Sequence, residues 1–143
     1  MKKSLYSQLE NIGNIPYRQI DENVRNLVAA LQYMGLEPDS SCEGHLAGYK
    51  HRHPQVGFKL DPSNPQFNKL DILVVTYSTN RKIKWWRNQV RQTRKLMPQT
   101  YSEMCSRCYG DKAITTTQEK LLELQTSAEE LAWFLFEQTK YHK

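Results

Sequence analysis

Six apolar residues, Ile20, Val24, Leu27, Val28, Leu31 and Met34, recur at spacings of three and four near the start of this chain. An α-helix turns once per 3.6 residues, so this spacing gathers all six on one face, and that face must be buried against something else. The pattern predicts a helix over about 20–34, with Asp21 as its N-cap and Gly35 as the residue that ends it. A shorter helix over 4–12 fits ahead of Gly13 and Pro16.

The end of the chain supplies a partner. Thr116 and Glu119 have capping-box spacing, and Ser127 and Glu130 repeat it just before the run LAWFLFEQ. Residues 116–141 are therefore expected to be helical, as one helix or as two with a kink. Between the two ends, EPDSSCEGHLAGYKHRHP (37–54) reads as loop or short strand. QVGFKL (55–60) alternates apolar and polar residues and reads as a strand. Ile72, Val74, Val75, Thr76 and Tyr77 are strand-favouring by type, which predicts a buried strand over about 70–78. Leu70, Leu73, Val74 and Tyr77 also fit a helical stripe. Residues 98–113 are expected to be loop. The expected fold is α+β: one domain over 1–143, a small mixed sheet, an N-terminal amphipathic helix and a helical C-terminus.

The charge is segregated. The chain carries 20 Lys and Arg against 15 Asp and Glu, but residues 1–80 are neutral overall, residues 81–112 carry +7 and residues 113–143 carry −2. A concentrated patch points to a polyanionic partner more firmly than a high isoelectric point does. The run RKIKWWRNQVRQTRK (81–95) holds seven cations and no acid. As a helix over 84–97 it would dock through Trp86, Val90, Thr93 and Met97 and present Arg87, Arg91, Arg94 and Lys95. As a strand it would place Ile83 and Trp85 on one face, and Lys82, Lys84 and Trp86 on the other. Guanidinium groups bond phosphate in pairs and an indole stacks on a base. Arg81, Lys82, Lys84, Trp85, Trp86, Arg87, Arg91, Arg94 and Lys95 are the candidate contacts to nucleic acid, DNA or RNA, or to another polyanion.

The cysteines form the second candidate site. Cys105 and Cys108 flank two residues and precede Gly110, and Cys42 and His45 have the same spacing around Gly44. Three thiolates and one imidazole make a tetrahedral zinc set, and a structural zinc would staple loops that a chain only 38% hydrophobic fixes poorly. An odd number of cysteines does not suggest a disulfide framework, and the Lys pair in MKKSLYSQLENIG has no apolar stretch behind it. A reduced, cytoplasmic protein is expected, with no membrane association. His51 and His53, beside Lys50 and Arg52, read as surface loop residues. Cys42 and His45 also allow an enzyme reading, a metal- or thiol-dependent site acting on an anionic substrate.

Ser41-Cys42-Glu43-Gly44-His45, after an amphipathic helix and before Pro54, Val56 and Phe58, resembles a motif of bacterial proteins of uncharacterised activity. There a helix ending in Gly leads into Ser-Cys-Glu-Gly-His and then a strand opened by Pro. The likeness covers about residues 24–60. It implies that Cys42 and His45 share a functional or metal-binding loop, and it implies no reaction. Three expectations follow: a zinc-stabilised nucleic-acid-binding protein, an enzyme centred on Cys42 and His45, or a phage- or plasmid-type accessory protein that binds a protein partner.

Overall fold

The computed structural model describes residues 5–8, 20–44, 53–59, 63–90, 93–98 and 118–141. Four helices lie among them, α1 (Leu5–Gln8), α2 (Glu22–Tyr33), α3 (Gln66–Ser78) and α4 (Gln118–Tyr141). Four strands, β1 (Pro38–Cys42), β2 (Gln55–Lys59), β3 (Trp85–Val90) and β4 (Thr93–Pro98), form one sheet in the order β1-β2-β4-β3. Every pairing in it is antiparallel, so the sheet is not the mixed one expected. The fold is α+β with a helical C-terminus, and no helix of the described residues is long and apolar enough to cross a membrane.

Helix α2 forms where the apolar spacing places it. Val24, Leu27, Val28 and Leu31 are buried, chiefly against α4 and the sheet. Gly35 ends it at φ +95°, with Gly35 N–H donating to Gln32 O at 2.9 Å and Leu36 N–H to Leu31 O at 3.1 Å. That pair of bonds is the Schellman closure, and a left-handed residue there favours glycine.

The strand expected over 70–78 is instead the helix α3. Phe67, Leu70, Val74 and Tyr77 are buried on one stripe, while Ile72 and Val75 point outward, 67% and 65% exposed. Asn64 Oδ1 accepts the Gln66 N–H at 2.9 Å and satisfies a helix-start donor that Pro65 would not. Burial of a stripe at helical spacing outweighs the strand preference of β-branched side chains, because propensity differences are small beside packing.

Helix α4 runs unbroken, so the second capping signal does not cap. Ser127 is buried in mid-helix and its hydroxyl serves other elements. The core is continuous from Leu5 through α2, Val56, Phe58, Leu96 and Trp85 to Leu131 and Leu135 of α4. Only Leu5–Gln8 of the expected 4–12 helix lies within the described residues, and the expected loop over 98–113 lies outside them except for Pro98, the last residue of β4.

Asn26 is a buried polar residue that joins three helices. Its Oδ1 accepts Tyr6 N–H from α1 at 2.9 Å, and its Nδ2 donates to Glu129 Oε2 of α4 at 2.7 Å. Burial pushes the Glu129 carboxyl above its ordinary range, with the Asn26 bond acting against that. A carboxyl raised in the fold contributes stability below the ordinary carboxylate range and loses it as pH rises through the folded value. Glu129→Gln keeps an acceptor for Asn26 and removes the ionisation. It should raise the thermal midpoint at pH 7, and the advantage should vanish below about pH 4.

Candidate functional site

The basic segment is neither helix nor stripe. Residues 85–90 and 93–98 pair as the β3–β4 hairpin, with Trp85 opposite Pro98, Trp86 opposite Met97, Arg87 opposite Leu96 and Val90 opposite Thr93. The helix expected over 84–97 would have stacked like charges at four-residue spacing with no acid to relieve them. In the strands Arg87 and Arg94 take register positions on one face and Lys95 on the other, and part of the charge is neutralised from other elements.

One face looks toward the helices. Trp85 is 2% exposed, and its indole N–H donates to Ser127 Oγ of α4 at 2.8 Å. Its backbone N–H donates to Ser78 Oγ at 2.9 Å. Tyr77 completes this cluster, its hydroxyl 3.2 Å from both the Ser127 hydroxyl and the Ser127 carbonyl. Burial holds the Tyr77 phenol above its ordinary value. Arg87 donates through Nε and Nη2 to the two carboxylate oxygens of Asp71 on α3, at 2.6 and 2.5 Å. Its side chain is 15% exposed. Trp85 and Arg87 are thus committed to holding the sheet on α3 and α4.

Other cations of the segment are also used internally. Arg81 lies over the Tyr77 ring at 4.0 Å, donates to Tyr77 O at 2.7 Å and sits 3.9 Å from Glu130. Lys84 donates to Ser78 O at 2.8 Å and Arg81 O at 3.1 Å, where a cation suits the negative end of α3. Lys82, at the surface, pairs with Glu123 at 3.2 Å, and that hydrogen bond holds the Glu123 carboxyl below its ordinary range. Arg91 lies outside the described residues. Arg94 stands opposite Phe58 and Gln89 in the register.

The opposite face of the sheet carries no described helix. Trp86 and Met97 pair on it, and Lys95 stands beside them opposite both Asn88 and Gly57. One strand further, Gly57 pairs with Ser40 of β1. The Val56–Leu96 pair places Gln55 beside Met97, and Gln55 pairs with Cys42. Cys42, Gln55, Met97 and Trp86 therefore form one row across four strands, about 14 Å long at the usual strand spacing. Trp86, Lys95 and Met97 are half-buried. The Trp86 indole N–H is sealed from solvent with no hydrogen-bond partner among the described residues.

Cys42 ends β1 in a loop tied down from two sides. Glu43 N–H donates to Asp21 Oδ2 at 3.1 Å, while Glu43 Oε1 accepts the Asn23 N–H at 3.2 Å and the Asn23 amide at 3.0 Å. Asp21 heads α2 as expected, but its side chain caps the loop and Glu43 caps the helix. Gln125 of α4 donates to Glu43 O at 3.0 Å. Gly44, at φ +95°, turns its N–H onto Cys42 Sγ at 3.4 Å. His45, Cys105 and Cys108 lie outside the described residues, as does His51; His53 is half-buried just before β2. Among the described residues no three metal-binding side chains cluster.

The strand alternative places Trp85 and Trp86 on opposite faces, and the helix alternative groups Met97 with Trp86 only as a buried docking face; Gln55, Gly57 and Ser40 carry no binding signal in the sequence. Only the strand register brings these into one surface. No family model, curated protein or solved structure matches this chain.

A Cβ on Gly57 would collide with the Ser40 hydroxyl, which already occupies the space over that glycine. Gly57→Ala should cost about 1–3 kcal/mol in urea unfolding. The double variant Ser40→Ala/Gly57→Ala should recover most of it.

Proposed function

We propose that this protein binds nucleic acid on the face of its sheet that no described helix covers, the helix-free face among the described residues. One observation carries the reading: the hairpin divides the basic segment, turning Trp85 and Arg87 into the fold and leaving Trp86 and Lys95 on the other face. A side chain that a fold uses for itself is unavailable to a ligand. Trp86 and Lys95 supply the two capacities a nucleic acid engages, an aromatic surface and a cation for phosphate. The contact set is therefore narrower than the sequence suggests, centred on Trp86 and Lys95 with Met97 and Gln55 beside them.

A zinc ion bound by Cys42, His45, Cys105 and Cys108 belongs to the same reading. β1 and β4 each run antiparallel to β2, so they point the same way and end at the same end of the sheet. Cys42 ends β1 and Pro98 ends β4, two strand spacings or about 10 Å apart. Six residues lie between Pro98 and Cys105, and the seven steps reach up to about 24 Å. Zinc would fix the end of the sheet next to the row that carries Trp86.

Two measurements test the proposal. Elemental analysis should find one zinc per chain, lost in Cys105→Ser. In fluorescence anisotropy with labelled oligonucleotides, Lys95→Glu should weaken binding about tenfold at 50 mM salt and flatten the salt dependence, while its unfolding free energy stays within about 0.5 kcal/mol. Arg87→Ala should do the reverse, costing about 1–3 kcal/mol of stability because it leaves Asp71 unpaired, with binding unchanged below the melting range. Binding that ignores Lys95 and follows Arg87 would sink the proposal.

A further inference from the structure

We infer that the ligand of the helix-free face is single-stranded nucleic acid, with one base stacked on Trp86 beside Met97 and a neighbouring phosphate on Lys95. This rests on the proposed function and narrows it.

The width of the sheet is the first reason. A duplex is read from its major groove, about 12 Å wide, by a helix or a two-stranded ribbon. The β3–β4 hairpin is not a free ribbon, because β4 is also paired to β2 along Val56–Lys59. The four strand axes span about 14 Å before side chains are added. That surface is too broad to enter a groove and suits a strand laid across it.

The helices give the second reason. In α2 the one cation, Arg25, is turned onto Ile20 O at 2.7 Å. Helix α3 carries Lys69 alone, and α4 carries Lys120, 3.8 Å from Glu123, and Lys140 in its last turn. No described helix presents the cationic stripe that groove binding needs. The helix expected over 84–97 would have supplied it, and it is a hairpin.

The composition of the face gives the third. Trp86 is on the edge strand of the four described, with no described strand on its outer side. Met97 lies opposite it and Lys95 is two residues along the same strand. An unpaired base offers a π-face to the indole, whereas in a duplex that face is already stacked. Beyond Lys95 the Ser40 hydroxyl fills the space over Gly57, so the base and phosphate contacts fall on Trp86, Met97 and Lys95 of β3 and β4.

The test uses the full chain and fluorescein-labelled 12-mers, oligo-dT, oligo-rU and a mixed-sequence duplex of equal length, in anisotropy titrations at 50 mM salt. The expected result is that a single strand binds at least tenfold tighter than the duplex. Trp86→Ala should lose about tenfold on the single strand, Trp86→Phe should retain most of the affinity, and neither should change duplex binding. Equal affinity for duplex and single strand, or a single-strand affinity unmoved in a folded Trp86→Ala protein, overturns the inference and leaves the proposed function standing. Absence of binding to all three probes overturns both. Should Trp86→Ala fail to fold, the single-strand to duplex ratio of the unaltered protein decides, with Trp86→Phe as the folded control.

Discussion

The hydrogen bond from the Trp85 indole to Ser127 Oγ sets what the sheet can do. It buries one of the two tryptophans of a segment carrying +7, and it does so at a point fixed by α4. Strand side chains alternate, so placing Trp85 inward places Arg87 inward and Trp86 outward. The β4 register then places Leu96 inward with Lys95 and Met97 outward. A shift of one residue would exchange the two faces, exposing a core tryptophan and burying a lysine. The Asp71–Arg87 pair and the Ser78–Trp85 backbone bonds hold the same register from α3.

This explains why a concentrated basic segment is a poor map of its own binding surface. Charge counted along the chain treats all cations alike. In the fold Arg81 covers Tyr77, Lys84 closes the end of α3 and Arg87 neutralises Asp71. These groups stabilise the segment and thereby fix the position of the remaining ones. Exposed pairs such as Lys82–Glu123 contribute little to either task.

How much was legible in the sequence depended on whether a local pattern had one solution. Helix α2 had one, since six apolar residues at helical spacing and Gly35 agree. Strand β2 had one as well. Residues 66–78 had two, a β-branched composition and an apolar stripe, and the deciding groups were remote partners such as Phe58 against Phe67 and Ser127 against Tyr77. Residues 84–97 also had two, because Trp86, Val90 and Met97 fit a helix face while the Trp85/Trp86 alternation fits a strand. Of the face without a described helix, only Trp86 and Lys95 were legible as contacts. Ser40, Gln55, Gly57, Trp86, Lys95 and Met97 are scattered over more than fifty positions and meet only through three strand pairings.

The exchange of caps between Asp21 and Glu43 couples two parts of the molecule that are 22 residues apart. A helix start capped by its own side chain opens independently of everything else. Here the first turn of α2 is closed by a carboxylate from the Cys42–Gly44 loop, and the loop is held by the helix. Neither can open without releasing the other, so the loop and the helix end share one opening free energy. A force that draws Cys42 away from the sheet would therefore unwind the first turn of α2, and a ligand that clamps the loop would lengthen the lifetime of that turn. The cysteine loop is mechanically part of the helix that the opening apolar pattern defines.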